Sequence, residues 1–381
     1  MTVNGTVRLT RPVYAARGGG TVTPLDGWLG VVESLVSAGA RELCCRSAMP
    51  TASFRKASEN LARLAQVRVS HDRLREIVEG EGRAVLEATD AGRIGPDWTA
   101  ADCAVRPGGP TRLMVGADGV KVPVVTAAEK AKRRANRRRR SKARRRKRRR
   151  RTAVRRHRGS DQRWKEFKIG VFYDVSGERQ YAIGTAGNHD VLGRRMRREA
   201  AKLKIGEAAQ RVAVSDGADW IQHQFRTRLP MIQTRILDYY HLMEHVAAAA
   251  AVCFGEGSEE AEAWRTRLSE AVTTEGAAGL LVAVHETRRS MRSAAKREAL
   301  RRLEQYVAKR AEMLDYPRFL AEGFDIGSGP TEAFCKTLTA RLKGSGMRWD
   351  RPNAEAMMAL AALEHSHLWD TYWISQRRGA A

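Results

Sequence analysis

Three carboxylic acids in this sequence occur in settings that suit metal-dependent phosphate chemistry. Asp216 ends a short apolar run, and Gly217 then allows the backbone to turn into a helix. Asp118 lies in the middle of another apolar stretch, residues 113–125, and Glu332 stands near the predicted start of a helix. Two divalent metal ions held by three or four carboxylates can activate the attacking oxygen of a phosphodiester and stabilise the leaving one. We therefore expect Asp118, Asp216 and Glu332 to converge on two Mg²⁺ or Mn²⁺ ions.

Each acid also has a purely structural interpretation. An Asp-Gly pair after a strand is a common turn signal. An acid in the first turn of a helix complements the helix dipole, which would account for Glu332 without any chemistry. Ser328 can cap the same helix and Pro330 can preset its first turn, so that Glu332 stands on a rigid element. It is the occurrence of all three acids that favours a site.

The composition points to a folded protein that binds a polyanion. Of 381 residues 43% are apolar, which is typical of a chain with a sizeable core. The formal charge of +26 and the isoelectric point near 10.6 favour nucleic acid as the partner. No apolar run approaches the roughly 18 to 20 residues that span a bilayer, and the first residues lack the order of a signal peptide. We expect no membrane partner and a cytoplasmic location.

The cysteine pattern fits a reducing compartment. The five cysteines are odd in number and no two of them are spaced as Cys-x-x-Cys. We expect free thiols and no zinc ribbon.

Most of the positive charge lies in one segment. Residues 130–158 contain 20 Lys or Arg and no acid. Like charges at this density repel one another and cannot be buried, so the segment is predicted to be poorly ordered or an isolated helix. It would bind DNA without regard to sequence, because each contact between a cation and a phosphate releases counterions. The arginines assigned to this contact are Arg137, Arg138, Arg144, Arg145, Arg148 and Arg149.

Apolar periodicity predicts helices in the first quarter of the chain. A strand-like run at residues 6–10 precedes helices over 25–43, over 51–66 and from Ser70 onward. The second and third of these helices could form a helix-turn-helix DNA reader. The alternative is an ordinary helical bundle that packs on the next domain.

The middle of the chain alternates between strands and helices. The predicted strands are 113–125, 164–175, 180–185, 212–215 and 232–237, with a hairpin turn at Ser176-Gly177-Glu178 and a helix over 191–208. This order is that of an RNase H-like fold, which has three antiparallel strands followed by a helix, a strand, a helix and a strand. Residues 241–322 and 330–373 are predicted to be helical.

The predicted fold class is α/β, with an RNase H-like mixed sheet flanked by helices, an all-helical insertion and an N-terminal helical region. The predicted divisions are a strand-like segment at 1–23, a helical region at 24–93, a linker at 94–110, a first core part at 111–244 with a basic insertion at 129–160, a helical insertion at 245–325, a second core part at 326–375 and a tail at 376–381.

Three segments resemble the DDE transposases of bacterial insertion sequences, most nearly those of the ISKra type. They are Ala117-Asp-Gly-Val-Lys-Val-Pro123 together with Lys165-Glu-Phe-Lys-Ile-Gly-Val171, then Val214-Ser-Asp-Gly-Ala-Asp-Trp-Ile221, and then Gly327-Ser-Gly-Pro-Thr-Glu332 with Arg341-Leu-Lys-Gly-Ser-Gly-Met-Arg-Trp349. The resemblance implies that Asp118, Asp216 and Glu332 are the catalytic, metal-binding triad. The 116 residues between the last two imply an inserted domain.

The resemblance also implies supporting and DNA-binding residues. Asp238-Tyr-Tyr-His241 matches the Cys/Asp-x-x-His signature of mutator-like and related transposases, which makes Asp238 and His241 supporting residues. Phosphate contacts are expected from Lys336, Arg341, Lys343 and Arg348, and base stacking from Trp349. A solvated basic helix face is the alternative. Relatives carry a zinc knuckle where this chain has residues 14–18, so we expect no metal there, and a shortened copy is one interpretation.

The function implied is cleavage of element ends and joining of the 3′-hydroxyls to target DNA, by a homo-oligomer assembled on DNA in the bacterial nucleoid. Two alternatives stay open. One is an RNase H-like nuclease without strand joining, and the other is an inactive, transposase-derived protein that only binds nucleic acid.

Overall fold

The computed structural model describes residues 1–29, 31, 35–146, 162–344 and 347–378. The chain begins with a small antiparallel hairpin, β1 (Tyr14–Ala15) and β2 (Thr21–Val22). Four helices follow: α1 (Pro24–Trp28), α2 (Ala38–Ala48), α3 (Phe54–Leu64) and α4 (His71–Asp90). Serines at positions 37, 53 and 70 cap α2, α3 and α4 by accepting a hydrogen bond from a backbone amide of the first turn.

The middle of the chain forms a five-stranded mixed sheet. Its strands are β3 (Arg112–Val124), β4 (Gln162–Tyr173), β5 (Gln180–Thr185), β6 (Gln210–Ser215) and β7 (Thr234–Leu237). In space their order is β5-β4-β3-β6-β7; β4 is antiparallel to both β3 and β5, while β6 and β7 run parallel to β3. Helix α5 (Ala127–Arg146) follows β3, α6 (His189–Lys202) precedes β6, and α7 (Asp219–Arg228) joins β6 to β7.

The rest of the described chain is helical. The helices are α8 (Tyr239–Phe254), α9 (Glu259–Ser290), α10 (Ala294–Lys309), α11 (Tyr316–Ala321), α12 (Gly329–Lys343), α13 (Arg351–His365) and α14 (Trp369–Arg378). Helix α9 is broken at Gly276, where φ is +66°. Helices α8 to α11 lie between β7 and α12, and this interval, which the structure describes throughout, contains no strand.

Helices cover both faces of the sheet. Cross-strand partners share a face, and Asp118 on β3 pairs with Ile169 on β4, which pairs with Gly184 on β5. On that face Gly184 packs against Met358 of α13. On the opposite face Gly170 of β4 packs against Met196 of α6. Strand β3 is therefore buried along residues 112–117, as expected for a strand covered on both sides.

The N-terminal helices pack outside α13 and α14. Gly82 of α4 approaches α13 so closely that an added Cβ would lie 2.5 Å from the carbonyl oxygen of Ala356. The buried carboxylate of Glu81 accepts hydrogen bonds from Arg41 of α2 (2.8 Å) and from the Tyr372 hydroxyl of α14 (2.5 Å). Helices α2 to α4 thus form a bundle that is joined to the C-terminal helices by apolar and polar contacts.

Three sequence predictions differ from the structure. The single helix predicted over 25–43 is two helices, and Leu35, which lies between them, adopts a φ of +50° that an α-helix does not contain. The run at residues 6–10 pairs with no strand among the residues that the structure describes. The linker at 94–110 packs on the core through buried Trp98 and Cys103. All five cysteines are free and buried.

The basic run is described only in part. Its first residues continue α5, which extends from Ala127 to Arg146, and residues 147–161 lie outside the described ranges. In the portions that the structure describes, no helix combines the length and the apolar character that membrane crossing requires.

The contact between β3 and α12 can be tested at Gly116. An added Cβ would collide with Oγ1 of Thr331 and lie 3.0 Å from its Cβ, so α12 would have to move away from the sheet. We expect Gly116→Ala to lower the free energy of unfolding by about 1–3 kcal/mol, measured by urea denaturation. Gly206→Ala is the control, because no atom lies within 4 Å of the added Cβ. Equal effects at both positions would contradict this packing.

Candidate active site

The strand register places Asp118 beside Asp216. In the parallel pair formed by β3 and β6, Gly116 lies opposite Val214. Each acid stands two residues further along its own strand, and neighbouring strands are separated by about 4.8 Å. Strand β6 ends at Ser215, whereas β3 continues alongside β4 to Val124. Asp118 is therefore a mid-strand residue, and Asp216 follows the carboxyl end of the adjacent strand.

A tight turn fixes the backbone of Asp216. Its Oδ1 atom accepts a hydrogen bond from the amide of Ala218 at 2.8 Å, immediately before α7 begins. Gly217 has a φ of +71°, and a Cβ at that position would lie 2.5 Å from Leu237 and 2.8 Å from Arg310. Only glycine fits both the conformation and the space. The Asp-Gly pair is thus a turn, and the turn presents the carboxylate at the edge of the sheet.

Helix α12 brings Glu332 to the face of the sheet that carries Asp118. Thr331 packs on Gly116, and one turn later the thiol of Cys335 donates a hydrogen bond to the Asp118 carboxylate. Glu332 itself is exposed in the first turn of the helix. Ser328 occupies the N-cap position, but its hydroxyl donates to Glu332 Oε1 at 3.3 Å and does not cap a backbone amide.

The three carboxylates share one electrostatic environment. Burial raises the pKa of Asp118, and the negative charges of Asp216 and Glu332 raise it further. Hydrogen bonds to Asp118 from the Gly119 amide (2.5 Å) and from Cys335 act in the opposite direction without cancelling the shift. Among the described residues, none of the three acids forms an ion pair with a basic side chain. The site therefore has uncompensated negative charge.

The acids are neighbours without forming a closed ligand set. Across the described chain, no three His, Cys, Asp or Glu side chains lie close enough together to hold a metal ion as they stand. The charge effects on Asp118 still require Asp216 and Glu332 to be near it. The two observations are compatible if the three acids lie close enough to influence one another's pKa but too far apart to hold one ion together. Because all three donors are carboxylate oxygens, they suit a hard cation such as Mg²⁺.

Asp238 is a buried structural joint. Its side chain accepts hydrogen bonds from the amide of His241 (2.6 Å), at the start of α8, and from the amide of Ser328, at the start of α12. It is only 1% exposed. It therefore ties the Glu332 helix to the end of β7. The His241 ring points elsewhere, with Nδ1 3.3 Å from Glu244 and an edge-on contact with His245.

Two residues at the end of α10, Tyr306 and the C-cap residue Arg310, contact the Asp216 turn, and no sequence pattern identified them. The Tyr306 hydroxyl donates to the carbonyl oxygen of Asp216 at 3.4 Å, and Arg310 donates to that of Gly217 at 3.1 Å. Arg310 lies over the Tyr306 ring, whose other contact is a 3.9 Å stack on His245. Burial lowers the pKa of His245, and the charge of Arg310 contributes to the shift. Some 90 residues separate these groups from Asp216, and no local motif signals the contact.

Two of the predicted DNA contacts are wrong in this structure. The Arg341 guanidinium lies 4.7 Å over the Phe54 ring and donates to the Thr51 carbonyl, and burial lowers its pKa to about 10. Trp349 is 4% exposed and packs edge-on against Phe54 at 6.0 Å. The buried Trp349 and the half-buried Arg341 join α3 to α12 and the segment that follows it, because each side chain packs on the apolar ring of Phe54.

Three other predicted DNA contacts are exposed. Lys336 and Lys343 are exposed on α12, and Arg348 is exposed just before Trp349. Four of the predicted arginines stand on the distal part of α5, and two lie outside the described residues; these are Arg137, Arg138, Arg144 and Arg145, and then Arg148 and Arg149.

Residues 202–377 match an uncharacterised protein family (UPF0236). The matched segment begins at the end of α6 and includes Asp216, Asp238 and Glu332, but not Asp118. It also contains helices α8 to α11. The chain matches no curated protein.

Removing the charge of Asp118 should stabilise the protein without metal. A carboxyl whose pKa is raised on folding contributes stability at low pH, and that stability is lost as the pH rises through the folded-state pKa. At pH 7 the charged form therefore costs stability. We expect Asp118→Asn to raise the melting temperature by about 1–3 °C in metal-free buffer. Added Mg²⁺ should raise the melting temperature of the wild type only.

Asp219→Asn is the matched control for that experiment. Asp219 is exposed on α7 and pairs with Lys309 at 2.7 Å, so its charge is compensated. A melting temperature for Asp118→Asn equal to or below that of the wild type would contradict the charge crowding at the site.

The joint at Asp238 predicts graded effects of two substitutions. Asp238→Ala leaves two backbone amides without their acceptor, at about 1–3 kcal/mol each. Asp238→Asn keeps one acceptor oxygen and should cost about half as much. Urea denaturation measures both free energies of unfolding. If alanine cost no more than asparagine, Asp238 would not join α8 to α12.

Proposed function

We propose that this chain is a metal-dependent DNA transposase of the DDE type. The observation that carries the proposal is the arrangement of the three acids: Asp118 and Asp216 at one level on adjacent parallel strands, and Glu332 on the helix that covers the same face. The sheet order β5-β4-β3-β6-β7 supports the proposal, since an RNase H-like core has this succession of antiparallel and parallel strands. The match to an uncharacterised family assigns no activity.

The donor set supports a role in phosphoryl transfer. When bound, two Mg²⁺ or Mn²⁺ ions supply Lewis acidity toward the attacking and leaving oxygens of a phosphodiester. Asp118, Asp216 and Glu332 would hold them. Among the described residues no basic side chain forms an ion pair with these acids, so a cation would relieve the repulsion that, together with burial, raises the pKa of Asp118.

Other residues of the chain would orient the acids and the DNA. Asp238 holds the first turn of α12 in place, and with it Glu332. The Gly119 amide and the Cys335 thiol orient the Asp118 carboxylate. Lys336, one turn beyond Glu332 on α12, offers an exposed cation to a DNA phosphate. DNA ends and target DNA would be the substrates, and a homo-oligomer would hold the two ends together.

The proposed activity can be tested with a pair of isosteric variants. Asp216→Asn removes a metal ligand but no phosphate contact. We expect it to reduce Mg²⁺-dependent cleavage at least about 100-fold, equal to about 2.7 kcal/mol of transition-state stabilisation. Its affinity for DNA should stay within about two-fold of the wild type. Asp219→Asn, three residues away and exposed, should cleave like the wild type.

The substrate for this assay is DNA that carries the inverted repeats bracketing the gene, incubated with a supercoiled target plasmid. Strand joining appears as element ends covalently linked to the plasmid. Nicks without linked products would favour a nuclease of the same fold. Absence of any Mg²⁺-dependent cleavage by the wild type would overturn the proposal.

A further inference from the structure

A cavity of about 560 Å³ lies beyond the end of β3, away from the three carboxylates. It is lined by α3, α4, the first turns of α5 and the segment that joins α12 to α13. We call it the basic pocket, because five cationic side chains line it: Arg75, Lys130, Arg133, Arg134 and Arg348.

The cations of the basic pocket outnumber its acids. Only Glu79 and Asp350 line it with negative charge. Asp350 is engaged twice, in an ion pair with Lys130 and as the N-cap of α13, where it accepts from the Asn353 amide at 3.0 Å. Within the described ranges, neither Arg134 nor Arg348 forms an ion pair. Arg75, Lys130 and Arg133 are paired with Asp72, Asp350 and Glu129, so the positive charge that the described part of the protein leaves without an ion pair is that of Arg134 and Arg348.

Like charges crowd at Arg348. Burial lowers the pKa of its guanidinium, and the charge of Arg133 lowers it further. Arg133 is itself held by Glu129 at 2.5 Å, so it cannot easily turn away. An anion between Arg348 and the start of α5 would relieve this repulsion.

The pocket is built on rigid elements. The carbonyl oxygen of Trp349 accepts a hydrogen bond from the Val125 amide at 2.8 Å, which extends the line of β3. The buried Trp349 ring and Phe54 form the apolar part of the wall. Arg348 is therefore attached next to a buried residue that is hydrogen-bonded to the end of β3.

We propose that the basic pocket binds the phosphate backbone of duplex DNA whose scissile bond lies at the three carboxylates. This inference rests on the proposed function. Val124 lies six residue steps beyond Asp118 on β3, which at about 3.3 Å per residue is roughly 20 Å. That length corresponds to about six base pairs at 3.4 Å each. The pocket also opens at the start of α5, so a duplex seated there continues toward the basic run.

Arg75 and Phe54 give the N-terminal helices a part in this contact. Both belong to the bundle of α2 to α4, and both line the pocket. The bundle would therefore hold the DNA backbone at the side of α4, together with α5 and the segment around Arg348.

The first test compares two double variants that change the net charge equally. Arg134→Glu with Arg348→Glu alters the pocket, whereas Arg194→Glu with Arg197→Glu alters exposed arginines of α6 on the other face of the sheet. Fluorescence anisotropy with a 30-base-pair duplex, without divalent ions, gives the slope of log affinity against log salt. We expect the pocket variant to lose about 1.8 more from this slope than the control, for two phosphates at about 0.9 each. Equal slopes would overturn the proposal.

A second test works even if the charge-reversed chain fails to fold. The native cysteines are buried, so a new surface cysteine can be labelled selectively with a photoactivatable crosslinker. Labelled Arg348→Cys should crosslink to the duplex, and labelled Arg197→Cys should not. Equal crosslinking at the two positions, or none at Arg348→Cys, would overturn the proposal.

The two proposals fail separately. DNA that crosslinks at the pocket but is never cut would contradict the catalytic function and would still support DNA binding at the basic pocket. Mg²⁺-dependent cleavage by a chain whose pocket does not crosslink to DNA would support the catalytic function and contradict DNA binding at the basic pocket.

Discussion

The site depends on one buried carboxylate that closes a long excursion of the chain. The polypeptide leaves the sheet at Leu237 and returns at Ser328, and Asp238 accepts hydrogen bonds from amides at both ends of this interval. The backbone adds a second link, since the Tyr239 amide donates to the carbonyl oxygen of Ile326 at 2.9 Å. Because the helices α8 to α11 begin and end at one point, they can be inserted without displacing the helix that carries Glu332 from the sheet.

The three acids are arranged at the expense of stability. A strand buried on both faces normally contains apolar residues, yet Asp118 stands in the middle of β3 with two other carboxylates nearby. The surrounding hydrogen bonds from Gly119 and Cys335 reduce this cost without removing it. Functional sites often retain such unfavourable charge, since the group that compensates it is the ligand.

The sequence predicted the sheet well, because each strand has a local signal. Strand β5 has the bounds that its alternating pattern predicts, and β3, β4, β6 and β7 differ from prediction by at most two residues at either end. The pairing of β4 with β5 could also be predicted, since their hairpin follows from the turn at 176–178. The positions of Arg341 and Trp349 could not be predicted from the sequence. The burial of each side chain at the Phe54 ring depends on a contact with residues some 290 positions away. The roles of Tyr306 and Arg310 were hidden for the same reason.

The contact of α10 with the Asp216 turn makes the inserted helices part of the energetics of the site. Tyr306 and Arg310 donate hydrogen bonds to the carbonyl oxygens of Asp216 and Gly217, in the turn that follows β6. Thermodynamic coupling is reciprocal, so whatever is bound at Asp216 alters the stability of α10 by the same free energy with which α10 alters that binding. The stability of helices α8 to α11 is thus coupled to binding at the carboxylates. A molecule that binds the far side of these helices would change the affinity of the carboxylates for their ligand.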